Sequence, residues 1–514
     1  MHPSLRTPDG LARHALIERR TFIRGAVAAA LGAGGAASLL TACGSDDPTA
    51  TSTTTGLVPP LRFDAATPYW MQGGFAPVTE EMATAELEVT GSLPPELDGL
   101  YVRNGSNPAS GPSAHWFLGD GMVHGVRLSA GKALWYRNRH VSTPLQQSGK
   151  GLFEFDGPPG GPNNQSNVSV FHHAGHLLTS GEVGFPYELS TDDLSTVGPY
   201  DFAGRLTTAM TAHPKIDPAT GRMHFFGYGF TPPYLTYHVA AADGTLEYSA
   251  EIPVAGPTML HDFAVTDTDA IFWELPVVFD LQAAIATLGG GEPDPGFGFR
   301  WDPLYGARVG VMPLEGPTSA IRWVEIDPCF VFHGVNAHRD GDEIVLDVCV
   351  LPSAFGEGGR LDPSTPHRWR IDTAGPELTF TDEPLVDALM DLPAIDRRFA
   401  GRESRHAWYL VSDTSTEFPV EFSSLCRRDD RDGSLDTYLP DPSRRVNEGT
   451  FVPGGPGEGE GWLVTYAWDR ARGASDLLVL DALDLSAGPV AAVHLPARVP
   501  YGFHGCWVPA ADLA

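Results

Sequence analysis

The chain has 514 residues, 42% of them hydrophobic, enough apolar side chain for a large core. A formal net charge of −30 argues against nucleic acid or an anionic membrane face as a partner, because either would be repelled across the whole surface. The Cys at 43, 329, 349, 426 and 506 form no Cys-x-x-Cys pair, which argues against a zinc cluster or a thioredoxin-type redox site.

Residues 1–42 read as a targeting segment and are set apart from the fold. Arg19-Arg20-Thr21-Phe22-Ile23-Arg24 precedes a Gly/Ala-rich run, Gly25 to Ala42, too weakly hydrophobic for a confident spanning helix. Twin arginines ahead of such a run predict a Tat signal, with an ordinary Sec peptide as the alternative. Leu40-Thr41-Ala42-Cys43 has the form of a bacterial lipobox, which predicts cleavage before Cys43, acylation of its thiol and anchoring on the outer face of the cell membrane. Residues 43–60 are mostly Ser, Thr, Asp and Pro, unable to bury enough surface to fold, and are expected to be a disordered tether. Tat export carries folded proteins, which suits a protein loaded with metal before secretion.

Residues 61–514 are expected to form one domain. The sequence offers few helical patterns and many short β-rich runs broken by Gly, Pro and Asp turns, the signature of a closed all-β fold. The runs include Met223–Phe230, Tyr234–Val239, Glu343–Val350, His406–Ser412, Trp462–Trp468, Leu477–Leu480 and Val490–Leu495. Turns such as Asp217-Pro218-Ala219-Thr220-Gly221 separate them. One irregular insertion, Asp280 to Asp302, opens with a short helix over Leu281–Leu288 and reads either as a lid over one end or as a surface excursion. No repeat is visible, so the residues alone do not count the blades of a propeller.

Gly-x-Ser-x-Gly, His-Glu-x-x-His and the phosphate-loop pattern are all absent, which speaks against a serine hydrolase, a zinc protease and a nucleotide enzyme. What remains is histidine. His504 lies between two glycines and two aromatics in Tyr501-Gly502-Phe503-His504-Gly505-Cys506-Trp507, where backbone can approach closely. His213, His261 and His333 sit in similarly short apolar contexts, at gaps of 48, 72 and 171 residues along the series that ends at His504. No local metal loop has such spacing, so a shared site requires a fold that returns repeatedly to one axis, as a β-propeller does. Four neutral imidazoles would leave a divalent ion its full charge and open positions, and imidazole suits Fe, Cu, Ni and Zn alike. Ligand imidazoles need their second nitrogen fixed. Glu182, Glu448 and, more weakly, Asp391 are carboxylates in comparably apolar settings, although each taken singly reads better as a solvated surface acid.

Leu97-Asp98-Gly99-Leu100-Tyr101-Val102-Arg103-Asn104-Gly105, Trp116-Phe117-Leu118-Gly119-Asp120-Gly121-Met122-Val123-His124-Gly125, Leu495-Pro496-Ala497-Arg498-Val499-Pro500 and the Gly502–Gly505 stretch together resemble the carotenoid cleavage oxygenase family, which includes lignostilbene dioxygenases and the retinoid isomerase. The resemblance implies a seven-bladed β-propeller whose loops and short helices cap a metal face. It implies non-haem Fe(II) held by His213, His261, His333 and His504, supported by the carboxylates of Glu182, Glu448 and Asp391. The last departs from a family Glu and is one methylene shorter, so its bond to the imidazole is expected to need a backbone shift or a water. The resemblance also implies an apolar conjugated substrate and O2, with cleavage of a C=C bond into two carbonyl products and no side-chain acid or base. Stilbene-cleaving relatives use a Tyr, and a Lys soon after a Tyr-Arg-Asn-Arg motif. Here Tyr136-Arg137-Asn138-Arg139 is followed by no Lys before Lys150, which favours a carotenoid or apocarotenoid. A stilbene or phenylpropene dioxygenase and a non-catalytic, lipid-anchored binding propeller are the alternatives.

Overall fold

In the computed structural model the β-rich runs pair antiparallel with their neighbours in the chain, giving seven sheets of four or more strands among the described residues, which are 62–64, 66–152, 160–288, 294–412 and 421–513. These are the blades of a seven-bladed β-propeller. The twin-arginine segment, Cys43 and the tether lie outside the described residues.

Blade one consists of Met82–Ala85, Gly99–Ser106, Gly121–Ser129, Lys132–His140 and Gly505–Pro509. Blade two begins with Ser169–His173, blade three with Lys215–Ile216, blade four with Ala264–Val265, blade five with Phe330–Asp340 and blade six with Met390–Ile395. Blade seven begins with the interrupted pair Arg444–Val446 and Thr450–Pro453. Contacts pass directly from Ala264–Val265 to Phe330–Asp340, on to Met390–Ile395, Thr450–Pro453, Gly505–Pro509 and Ser169–His173, so these first strands line the axis.

Both ends of the chain close the ring. Gly505–Pro509 joins blade one beside Gly99–Ser106, with Arg103 opposite Gly505 and Leu100 opposite Val508. Val89–Gly91 joins the outer side of blade seven beside Pro489–His494. A sheet ring sealed at both termini leaves no unpaired edge at the junction. The close approach anticipated around His504 is present: a side chain on Gly502 would meet the Asn104 carbonyl at 2.8 Å, and one on Gly505 would meet Thr450 Oγ1 at 2.9 Å.

The apolar core is distributed between blades. Leu100, Val102 and Val508 of blade one pack on Val170, Leu177 and Tyr187 of blade two, and Trp408 and Leu410 of blade six pack on Phe451 and Leu463 of blade seven. A strand inside a blade is covered on both faces, so Met223–Tyr228 is buried at every position, whereas the outermost Leu246–Glu251 alternates. Period-two patterning survives only where one face meets water.

The insertion lies within blade four, between Asp269–Glu274 and Arg308–Pro313. Val277–Phe279 and Phe299–Trp301 form a two-stranded ribbon, and Leu281–Leu288 is a helix, as its sequence predicts. Asp280 starts that helix by accepting from the backbone N–H groups of Gln282 and Ala283 at 2.9 and 3.0 Å.

Because stability resides between blades, Leu100→Ala, at a fully buried position, is expected to cost about 2–5 kcal/mol. Leu435→Ala, at a position 45% exposed on blade six, is expected to cost less than about 0.5 kcal/mol. Denaturant midpoints of the two variants measure the difference.

Candidate metal centre

Every blade contributes to one point on the axis. His213 precedes the first strand of blade three, His261 precedes that of blade four, His333 lies within that of blade five, and His504 immediately precedes Gly505–Pro509 of blade one. Carboxylates come from the other three blades. Glu182 follows His176–Ser180 of blade two, Asp391 is in the first strand of blade six, and Glu448 occupies the gap between the two first-strand pieces of blade seven. Pairing registers shift at Val331/Gly334 and at Asp391/Ala394, and such irregularities turn a side chain out of the pleat toward the axis.

One ligand atom from each of the four imidazoles lies within 4.8 Å of the other three. His213 Nε2 and His261 Nε2 face each other at 2.9 Å, and His333 Nε2 is buried without a hydrogen-bond partner. A cation with nitrogen bonds of about 2.1 Å needs adjacent donors about 3 Å apart, so these nitrogens fit a single metal ion, which would also satisfy the orphaned His333 nitrogen.

The opposite ring nitrogens face the carboxylates. His333 Nδ1 donates to Asp391 Oδ1 at 2.6 Å and His504 Nδ1 donates to Glu448 Oε1 at 2.7 Å. His261 Nδ1 lies 2.9 Å from Glu182 Oε1, in ion-pair contact but off the line of a hydrogen bond. Each second carboxylate oxygen takes its own donor: Tyr228 OH on Glu182 at 3.0 Å, Ser364 Oγ on Asp391 at 2.6 Å, and the Gly505 N–H on Glu448 at 2.7 Å. This arrangement holds the Nε2 lone pairs toward the axis.

Asp391 reaches His333 directly, without a bridging water. The register slips after Asp391, and Leu392 adopts φ 50°, a left-handed conformation uncommon for a branched side chain.

Burial, with the other three imidazoles close by, holds His213 well below the usual histidine value. Burial likewise holds His333 low, against the pull of Asp391. At His261 burial is outweighed by the Glu182 carboxylate, and its value is raised. Asp391 is pushed up by burial but held below the usual carboxylate value by His333 and Ser364. The low values of His213 and His333 favour the neutral rings that a metal requires.

Above the imidazoles lies a cavity of about 560 Å³. His261, His333 and His504 form part of its wall, and Trp116, Phe117, Phe332, Phe422 and Phe503 much of the rest. The blade-four insertion adds Phe279, Leu281, Phe297 and Phe299, so it caps the metal face. Among the described lining residues there is no Lys or Arg. Tyr136 of the Tyr-Arg-Asn-Arg motif is fully buried in blade one against His124 and does not line the cavity.

Several other described histidines have structural partners. His124 Nδ1 and His224 Nδ1 pair with the hydroxyls of Tyr136 and Tyr237 at 2.9 and 2.7 Å, the ring of His115 accepts from the Phe117 N–H, and His173 donates to the Gly221 carbonyl. Sequence reasoning missed Tyr228, Ser364, Lys215 and Asp262. Ser364, in a Pro-rich loop, carries no signal. Asp262 satisfies the criterion used for the other carboxylates, since it stands in the apolar run Met259–Phe263.

A propeller that brings imidazoles from four blades to a point beneath an aromatic cavity has the construction of a metal-dependent oxygenase acting on an apolar substrate. The family model described as retinal pigment epithelial membrane protein matches residues 75–509. A carotenoid cleavage oxygenase of Mycobacterium tuberculosis is 37% identical over 507 residues, covering 87% of this chain and 98% of that protein. A carotenoid 9,10(9',10')-cleavage dioxygenase 1 of Phaseolus vulgaris is 34% identical, covering 87% and 90%. The crystal structure of Pseudomonas brassicacearum lignostilbene dioxygenase superposes with a TM-score of 0.79 at 28% identity, covering 88% of this chain and all of that one. The chain belongs to the carotenoid cleavage oxygenase family and is an oxygenase of that O2-dependent, double-bond-cleaving type.

The buried neutral histidines set an acid limit. Burial holds His124 well below the usual value and lowers His224 and His238 to about 4. Unfolded histidine titrates near ~6.5, so below that pH the unfolded chain binds more protons than the folded one and stability falls with pH. The thermal midpoint of metal-free protein is expected to drop between roughly pH 7 and pH 5 in calorimetry, His261 alone among these opposing the trend. An unchanged or higher midpoint at the acid end contradicts the assignment.

Proposed function

We propose that the protein is a non-haem Fe(II) dioxygenase that cleaves a conjugated C=C bond of a carotenoid or apocarotenoid with O2, giving two carbonyl products. His213, His261, His333 and His504 are the iron ligands; Glu182, Asp391 and Glu448 hold three of them. The observation that carries this reading is the meeting of four imidazole nitrogens within 4.8 Å, with the rings of His261, His333 and His504 in the wall of an aromatic cavity.

Bound Fe(II) supplies O2 activation for addition across the double bond, both oxygen atoms ending in the carbonyl products. Four neutral ligands leave the ion its charge and free positions. The aromatic wall orients a flat conjugated chain and excludes water, and the cap closes the cavity over it. Net addition of O2 across C=C needs no proton transfer, which agrees with a cavity whose Glu182 and Asp391 are already committed to histidines.

A second reading, a stilbene or phenylpropene as substrate, is favoured by the structural likeness to the lignostilbene dioxygenase. The absence of Lys from the described lining favours the carotenoid. Export by Tat and a lipid on Cys43 belong to the same proposal: an anchored enzyme would work beside the membrane that dissolves such substrates.

Purified protein is expected to bind one iron per chain and to bleach a β-apocarotenal only with O2, faster than it cleaves a resveratrol-like stilbene. His261→Ala is expected to lose metal and cleavage while still melting cooperatively. Asp391→Ala is expected to weaken metal binding or turnover ~10–100-fold. Full turnover by the His261 variant, or by rigorously iron-free protein, overturns the proposal; preference for the stilbene overturns the substrate.

A further inference from the structure

His213 differs from the other imidazoles: among the described residues no carboxylate accepts from its ring, although it packs against all three of them, with ring centroids 4.6, 5.2 and 4.5 Å from His261, His333 and His504. Its segment is tied down two residues further on. Lys215, at the start of the first strand of blade three, places Nζ 2.7 Å from Asp262 Oδ1. The side chain of Asp262 is 1% exposed, and that of Lys215 23%.

Asp262 is the residue after His261. Its Oδ1 also accepts from the Phe263 N–H at 2.7 Å, and its Oδ2 accepts from the Gly334 N–H at 2.8 Å. Gly334 is the residue after His333 and sits at the register shift of that strand. A side chain there would come within 3.1 Å of Trp273 and 3.5 Å of Asp262 Oδ2, so glycine permits the close approach. One buried carboxylate thus connects the backbones beside three ligands, on blades three, four and five.

A buried ion pair is a weak source of stability, because taking both charges from water offsets much of their attraction. It is a strong source of geometry, since a charged acceptor with three donors fixes each donor's position. We propose that Lys215 and Asp262 are positioning residues that set the spacing of His213, His261 and His333 and thereby the affinity of the site for its metal. The pair substitutes at His213 for the carboxylate that supports each of the other three ligands. This rests on the four histidines being the metal ligands.

The test measures Co(II) and Fe(II) binding to metal-free full-length protein by competition with a chelator, together with the visible Co(II) spectrum and the apo melting curve. Lys215→Met and Asp262→Asn are each expected to weaken binding ~10–100-fold and to change the Co(II) bands. Lys215→Arg, which keeps a donor cation, is expected to restore much of the affinity. The double variant is expected to be little worse than either single one, because both remove the same interaction. Arg308→Met serves as control: it breaks the 2.5 Å pair with the buried Glu274, also on blade four but outside the ligand segments, and is expected to lower the melt without changing affinity or spectrum. Should Asp262→Asn fail to fold, Lys215→Gln, at the more exposed partner, carries the same expectation.

Lys215→Met or Lys215→Gln with wild-type affinity and spectrum overturns the inference, as does an Arg308→Met loss equal to theirs, which would mark a general effect of instability. If wild-type protein itself binds no metal at one per chain, the ligand assignment fails instead, so the two failures are distinct.

Discussion

The structure depends on one pairing, that of Gly505–Pro509 with Gly99–Ser106. It closes the ring, and it also delivers the last imidazole, since His504 is the residue immediately before the closing strand. Folding and assembly of the centre are consequently one event: until the C-terminal strand is seated in the N-terminal blade, at most three of the four rings can meet. A fold of such high sequence separation has a large loop-closure cost, which the apolar surfaces between all adjacent blades must outweigh.

Around the axis, chemistry is divided among blades without duplication. Blades one, three, four and five supply imidazoles, and blades two, six and seven supply the acids that orient them. Each acid is then fixed by a further donor, so the support of the rings extends outward for two layers before reaching ordinary blade packing. Such layering holds the rings facing one another in a site where a small misalignment would be costly.

Much of this was legible in the sequence. The four histidines stand in short apolar contexts, but it is the resemblance to the family that gathers them with Glu182, Asp391 and Glu448 into one site, since each acid taken singly reads as solvated; the helix Leu281–Leu288 follows from its composition. Blade number was not legible: strands such as Met223–Tyr228, buried on both faces, lose the alternation that would mark them, and the blades share no repeat. Three features needed coordinates. The direct bond from Asp391 to His333 depends on the conformation of Leu392, Ser364 reaches Asp391 from a loop of another blade, and the link from Lys215 to Asp262 spans two blades. Each is a long-range coincidence of position, on which local pattern is silent.

The cap deserves a last consideration for where it is attached. Its ribbon and helix interrupt blade four between two strands that pair with each other in full register from Asp269 opposite Pro313 to Glu274 opposite Arg308. The excursion therefore begins and ends at neighbouring points of a finished hairpin, and its length and composition can drift in evolution without disturbing the barrel beneath. The roof over the cavity can thus change without change to the strands that carry the imidazoles, so diversification of substrate within such a scaffold has a natural address.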